Sequence, residues 1–177
     1  MKVVLCHAFG EPDGLRVEEI EPRDLEKGHV RIRVRAAGVN FPDYLMVTGK
    51  YQVKPPLPFT PGIEAAGEII EYAPDVVDLR PGQRVIALAR RGGGFASELV
   101  LPAPFVVPIP DIMDFITAAG FPVAYGTAHL ALTYRGHLRS GEGGRTRTRT
   151  LDPLIKSQQV TLINQTPFRH FLHSFRD

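Results

Sequence analysis

The sequence contains few of the residues and segments that define several common classes of protein. It has no tryptophan and only one cysteine in 177 residues. A single cysteine excludes an intrachain disulfide and a cysteine-rich zinc site. No run approaches the roughly 20 apolar residues that span a bilayer. Residues 1–12 lack the apolar core of a signal peptide. We therefore expect a cytoplasmic protein without a membrane segment.

The distribution of charge divides the chain near residue 141. Residues 1–141 contain 15 Lys and Arg against 16 Asp and Glu, whereas residues 142–177 contain 6 against 3. The residue pattern also changes at this place, where the repetitive segment GGRTRTRT (143–150) begins. We predict one folded domain over residues 1–141 and a basic tail over residues 142–177.

Most of the first 110 residues have the pattern of short strands separated by turns. The 17 glycines and 16 prolines favour turns over a helical bundle. Strand-like segments cover 3–9, 15–21, 29–39, 63–73, 76–88 and 93–110. Only residues 111–138 have helical spacing, with a break near Gly120-Phe121-Pro122. The prediction is a mainly β fold, a small barrel or sandwich with a few helices.

The segment 29–39 places charge on one face of a strand. Three apolar residues alternate there with three arginines, namely Val30, Ile32 and Val34 with Arg31, Arg33 and Arg35. A nucleic-acid surface and an ordinary solvated strand face are both compatible with this pattern. The second interpretation is favoured, because Glu18, Glu19, Glu21 and Glu26 lie close by in the sequence.

Four ordered motifs resemble one known family. They are AAGVNFPDYLMVTGKYQ (36–52), PFTPGIEAAGEI (58–69), RPGQRVIAL (80–88) and AYGTAHLAL (124–132). Over residues 1 to about 141 they resemble the zeta-crystallin-like quinone oxidoreductase branch of the medium-chain dehydrogenase/reductase superfamily. The resemblance implies a GroES-like barrel on the substrate side of an NADPH-dependent reductase of quinones or enones. It also implies a Rossmann domain downstream that holds the nucleotide.

The resemblance also implies functional residues. The Asn and Asp of its GVNFxD motif line the cleft beside the nicotinamide, so Asn40 and Asp43 are the implied catalytic pair. Asn40, Tyr51 and Thr127 are implied to contact NADP(H). A carboxamide such as that of Asn40 can donate a hydrogen bond where enolate charge develops.

Structural roles for the same residues remain open. Asn40 and Asp43 suit the start of a helix near Pro42, and capping and catalytic roles can coexist. Tyr51 is alternatively a packed aromatic on a loop. Thr127 is alternatively a core helix residue whose hydroxyl bonds to its own backbone.

The resemblance to this superfamily also implies that the protein binds no zinc. Zinc-dependent relatives carry a catalytic Cys where Asn40 stands and a His where Ile63 stands. Cys6 is alone, and the six histidines show no paired-ligand spacing. Glu64 remains, but one carboxylate does not make a zinc site.

After residues 140–142 the sequence departs from the family pattern. No glycine-rich nucleotide loop follows, and Gly92-Gly93-Gly94 precedes a strand instead of joining a strand to a helix. We expect a chain truncated before its Rossmann domain, with little NADP(H) binding and little or no activity of its own. The alternative is an interaction module that forms homo-oligomers without catalysis. Truncation should also expose Phe115, Ile116 and Leu130.

The tail has several interpretations. The Arg-Thr repeat (145–150) is a candidate phosphate-binding arm, and residues 168–175 are a candidate docking helix, but an extension without stable packing is favoured over both. GGRTRTRTLDPLIKSQ (143–158) also resembles reading frames that cross transfer-RNA genes on the opposite strand. A gene-model artefact is therefore a further alternative, which the nucleotide sequence decides.

Overall fold

The computed structural model describes residues 1–138, so the predicted boundary at 141/142 and the interpretations of the tail lie outside the described residues. This range forms seven strands and three α-helices. The strands are β1 (Lys2–Leu5), β2 (Arg16–Glu19), β3 (His29–Gly38), β4 (Glu64–Tyr72), β5 (Arg84–Leu88), β6 (Glu98–Pro102) and β7 (Val106–Pro108). The helices are α1 (Phe41–Val47), α2 (Phe115–Ala119) and α3 (Phe121–Leu130), which a π-helical turn (Ala131–Arg135) continues.

The strands form two antiparallel sheets. β1 pairs with β2 around a 3₁₀ turn at Pro12–Gly14, and the larger sheet has the order β6-β3-β4-β5-β7. Isolated bridges from Val3 to Ala96 and from Cys6 to Phe59 connect the small sheet to the rest. The prediction of a mainly β fold with a few helices is confirmed. Every pairing of these seven strands is antiparallel, so residues 1–138 contain no parallel βαβ unit of the nucleotide-binding kind.

The main core lies on the inner face of the larger sheet. Val30 and Ile32 on β3 and Ile69 on β4 have no exposed surface. Burying a side chain of this size contributes roughly 1.5–3 kcal/mol relative to leaving it in water. Alternation along β3 therefore selects which face of the strand turns inward.

The arginine face of β3 is neutralised by glutamates of neighbouring strands. Arg31 is 8% exposed, and its guanidinium lies 2.8 Å from Glu71 on β4 and 3.5 Å from Glu98 on β6. Arg35 lies 2.9 Å from Glu68 on β4. The favoured interpretation of an ordinary solvated strand face fits the exposed Arg33 and Arg35, but it was wrong for Arg31, which is buried between its ion-pair partners. The ion-pair partners, however, come from the strand ladder and not from residues 18–26, because cross-strand neighbours are closer than sequence neighbours.

Small residues on β4 allow close approach by helix α2 and by strand β3. Ala66 packs against Ala118 and Ala119 of α2. A Cβ atom on Gly67 would lie 2.0 Å from the Arg33 carbonyl oxygen. The backbone of this chain thus occupies the space that the small side chains leave.

The helical region exposes part of its apolar surface. Ile116 and Leu130 are 63% and 53% exposed, as predicted. The prediction was wrong for Phe115, which is half-buried because it packs against the cluster of Ala66, Ala118 and Ala119 and the Arg84 guanidinium lies over its ring at 4.5 Å. No helix within residues 1–138 has the length and apolar character to cross a membrane.

Candidate functional site

The site is built at the start of α1. Asn40 has extended backbone angles (φ −121°, ψ 157°) and immediately precedes the helix, with Pro42 in its first turn. Asp43 occupies the third helical position, and its Oδ2 accepts the Asn40 backbone N–H at 2.8 Å. This contact satisfies a donor at the helix start. The predicted helix start near Pro42 is confirmed.

Asp43 also ties α1 to the turn that precedes β4. Its side chain has no exposed surface, and its Oδ1 accepts the Gly62 N–H at 3.0 Å. Gly62 has φ +97°, and a Cβ atom there would lie 2.6 Å from Phe95, so the turn requires glycine. Burial raises the pKa of Asp43 to about 7, against the backbone hydrogen bonds that lower it. A catalytic role for Asp43 stays a prediction, and its placement fits positioning of Asn40.

Glu64 connects Asn40 to α3. Asn40 is half-buried, and its Nδ2 donates to Glu64 Oε1 at 2.8 Å. Glu64 Oε2 accepts the Val123 N–H at 2.8 Å. Val123 is the third residue of α3, where the backbone N–H has no partner within the helix and the helix dipole favours a negative charge. One carboxylate therefore links β4, the start of α1 and the first turn of α3.

Glu64 is 2% exposed. Burial raises the pKa of its carboxyl, while the hydrogen bonds from Asn40 and Val123 lower it. The sequence pattern indicates for Glu64 only an insufficient metal ligand, and its hydrogen-bonding role was missed. The overlooked signal was a glutamate directly before the buried Ala65 and Ala66, because a carboxylate in such a position must find hydrogen-bond donors.

Tyr51 and Thr127 lie at different depths beside this network. Tyr51 is half-buried, follows α1, and packs with Val123 against a core cluster that includes Met46. Thr127 is exposed on α3, four residues beyond Val123, which is about one helical turn. The structure thus links Asn40 to the first turn of α3 through Glu64, packs Tyr51 against the same core cluster as Val123, and leaves Thr127 exposed on α3. The contacts of these residues with NADP(H) stay predictions.

Comparison with known proteins identifies the family. The sequence pattern of the alcohol dehydrogenase GroES-like domain family matches residues 26–111, which therefore form a domain of this family. A quinone oxidoreductase-like protein 2 homolog of Nematostella vectensis is 39% identical over 142 residues, which cover 80% of this chain and 38% of the relative. The resemblance of the GroES-like region to quinone oxidoreductases is confirmed.

Solved structures agree with this family. The human synaptic vesicle membrane protein VAT-1 homolog-like protein has a TM-score of 0.75 at 33% identity, over 80% of this chain and 45% of that one. The quinone oxidoreductase of Thermus thermophilus, also solved in complex with NADPH, has a TM-score of 0.68 at 34% identity. That match covers 80% of this chain and 43% of the Thermus chain. The chain spans about two fifths of the length of the curated relatives it matches.

The triple glycine of the GroES-like domain contacts the protein's own backbone. The Gly93 N–H donates to the Thr60 carbonyl at 2.7 Å, and the Gly94 N–H donates to the Gly62 carbonyl at 2.9 Å. A Cβ atom on Gly92 would lie 2.3 Å from the Thr60 carbonyl oxygen. Because these N–H groups are already paired, the loop has no free N–H groups with which to bind a phosphate.

The residues predicted to contact NADP(H) lie in the GroES-like domain and on α3. Asn40, Tyr51 and Thr127 offer polar groups of the kind that hold a nicotinamide riboside. A pyrophosphate needs free backbone N–H groups, and the first turn of α3 instead donates to the Glu64 carboxylate, whose charge would repel phosphate. Within residues 1–138 the fit is therefore limited to the nicotinamide end.

Proposed function

We propose that this GroES-like domain supplies the substrate side of a zinc-independent, NADPH-dependent reductase of quinones or enones. The observation that carries the proposal is the Asn40 carboxamide, half-buried and held at 2.8 Å by the buried Glu64 carboxylate. Relatives named as quinone oxidoreductases, one of them solved with NADPH, support the choice of substrate and cofactor.

In this role the residues orient a reaction whose chemistry belongs to the cofactor. NADPH, when bound, supplies the hydride. Asn40, Tyr51 and Thr127 would hold its nicotinamide end. The Asn40 carboxamide contributes a fixed dipole at the edge of the site, and a fixed dipole stabilises developing charge without reorganisation. Asp43 contributes indirectly, because it accepts the Asn40 backbone N–H.

A ligand-binding experiment tests this assignment. The 177-residue chain is titrated with reduced nicotinamide mononucleotide, which carries the nicotinamide end without the adenosine, while amide shifts are followed by NMR. We expect shift changes clustered at Asn40, Tyr51 and Thr127, which N40A reduces. Shift changes confined to other surfaces, such as the exposed Val77 loop, would contradict the assignment.

We also propose that the 177-residue chain alone has little or no reductase activity. Residues 1–138 offer no phosphate cradle, and the chain covers only 43% of the Thermus quinone oxidoreductase. The measurement is NADPH oxidation with a benzoquinone, with that intact enzyme as the positive control. A rate at background is expected, and turnover comparable with the control would refute this proposal.

A second candidate function is an interaction module that forms homo-oligomers. The apolar surface of α2 and α3 favours it, because Ile116 and Leu130 are more than half exposed. Phe121 and Tyr125 of α3 are 38% and 58% exposed and stack on each other with ring centroids 4.4 Å apart. Contiguous exposed apolar groups are typical of contact surfaces. Light scattering on the purified chain separates a defined oligomer from a monomer.

A further inference from the structure

We propose that Glu64 is a positioning residue that fixes the orientation of the Asn40 carboxamide and couples it to the first turn of α3. The inference rests on the proposed function only for the contact of Asn40 with a ligand. The hydrogen bonds themselves belong to the chain as it stands, so they are tested without any ligand.

The orientation of Asn40 follows from the chemistry of the carboxylate. Glu64 Oε1 accepts from Asn40 Nδ2, and Oε2 accepts from the Val123 N–H, both at 2.8 Å. An ionised carboxylate only accepts hydrogen bonds, so the NH₂ end of the Asn40 carboxamide must face it. The second N–H of Asn40 therefore remains for a ligand, whereas Oδ1 faces the backbone N–H of Asp43 in the capping box at the start of α1.

Asn40 is held at two places by two buried carboxyl groups. Glu64 holds its side chain, and Asp43 Oδ2 accepts its backbone N–H at 2.8 Å. Glu64 and Asp43 are 2% and 0% exposed. Donation to a charged acceptor polarises the carboxamide and strengthens Oδ1 as an acceptor in turn. Since Glu64 also binds α3, a displacement of that helix is transmitted to the carboxamide of Asn40.

A double-mutant cycle on the full chain tests the contact. E64Q leaves one acceptor oxygen for the two N–H donors from Asn40 and Val123. N40D places a second carboxylate next to that of Glu64, and the two repel each other. In N40D/E64Q the new glutamine amide donates to the new aspartate, while its oxygen still accepts the Val123 N–H. Urea unfolding should show that the double variant is more stable than the two single effects predict, by about tenfold or more in the unfolding equilibrium constant.

The matched control combines N40D with E68Q. Glu68 lies on the same strand, where it pairs with Arg35 at 2.9 Å and has no hydrogen bond to Asn40. The effects of E68Q and N40D on the unfolding free energy should therefore be additive. Equal coupling in the two cycles, or no coupling in the first, would overturn the proposal.

A measurement on the wild-type chain keeps the test independent of mutant folding. The side-chain amide hydrogen of Asn40 that is bonded to Glu64 should exchange with D₂O about tenfold or more slowly than those of the exposed Gln52. Equal exchange rates would overturn the proposal. Neither experiment uses a cofactor, so its failure is distinguishable from failure of the nicotinamide titration that tests the reductase assignment.

Discussion

Gly38 and Glu64 lie opposite each other in the β3–β4 ladder, and a Cβ atom on Gly38 would come within 2.2 Å of Glu64 Oε1. Contacts this short do not occur between real side chains, so any larger residue at position 38 must displace the carboxylate. The lack of a side chain at Gly38 therefore provides the space in which Glu64 binds Asn40 and Val123.

The G38A variant should lose stability through this contact. Displacing Glu64 leaves the Asn40 Nδ2 and Val123 N–H donors without their partner, which we expect to cost about 2 kcal/mol of unfolding free energy. Urea unfolding measures the loss. The control is G10A, because a Cβ atom at Gly10 has no neighbour within 4 Å, and its effect should stay within about 0.5 kcal/mol. Equal effects of the two variants would contradict the steric account.

Local patterns in the sequence were sufficient for much of the fold. The alternation of Val30, Ile32 and Val34 with arginines predicts a strand over 29–39, and β3 runs from His29 to Gly38. Asn40, Pro42 and Asp43 predict a helix start, and α1 begins at Phe41. Each signal acts over a few residues, where steric preference and capping dominate.

The role of Glu64 depends on contacts that no local pattern contains. Its partners Asn40 and Val123 lie 24 and 59 residues away in the sequence, and only the sheet order and the docking of α3 bring them together. The same limit applies to the ion pairs of Arg31, because its partners lie on β4 and β6 and not among the glutamates near it in the sequence. Burial of charge indicates that partners exist, without identifying them.

Asp43 should make the stability of the protein depend on pH. Its pKa is about 7 in the folded chain against an ordinary value of 3.8, so between these values the folded state binds more protons than the unfolded state. The contribution of Asp43 to the unfolding free energy is therefore greatest below about pH 4, and it is lost as the pH rises towards 7. The loss is on the order of 4 kcal/mol.

Comparison of wild type with D43N isolates this contribution. D43N has no titrating group at position 43, so its unfolding free energy should fall less between about pH 4.5 and 7 than that of the wild type. The control is D78N, which alters an exposed aspartate and should leave the wild-type profile in place. Parallel profiles for wild type and D43N would exclude Asp43 as the source.

Arg31 and Arg33 should differ strongly in their effect on stability, although they sit two residues apart on β3. Arg31 is 8% exposed and pairs with Glu71 at 2.8 Å, whereas Arg33 is exposed. R31Q removes the charge from a site that also faces Glu98, which we expect to cost about 2 kcal/mol. R33Q should cost less than about 0.5 kcal/mol. Urea unfolding of both variants checks the ranking, and equal losses would contradict it.

The apolar surface of α2 and α3 should control self-association if the chain acts as an interaction module. Ile116 and Leu130 are 63% and 53% exposed, so I116S/L130S removes apolar area with little loss of core packing. Light scattering over a range of concentrations should show a smaller associated fraction for this variant than for the wild type. V77S changes a residue that is 85% exposed outside these helices and should leave association unaltered. A wild-type chain that stays monomeric at every concentration would exclude the interaction module, because contact between copies is its only activity.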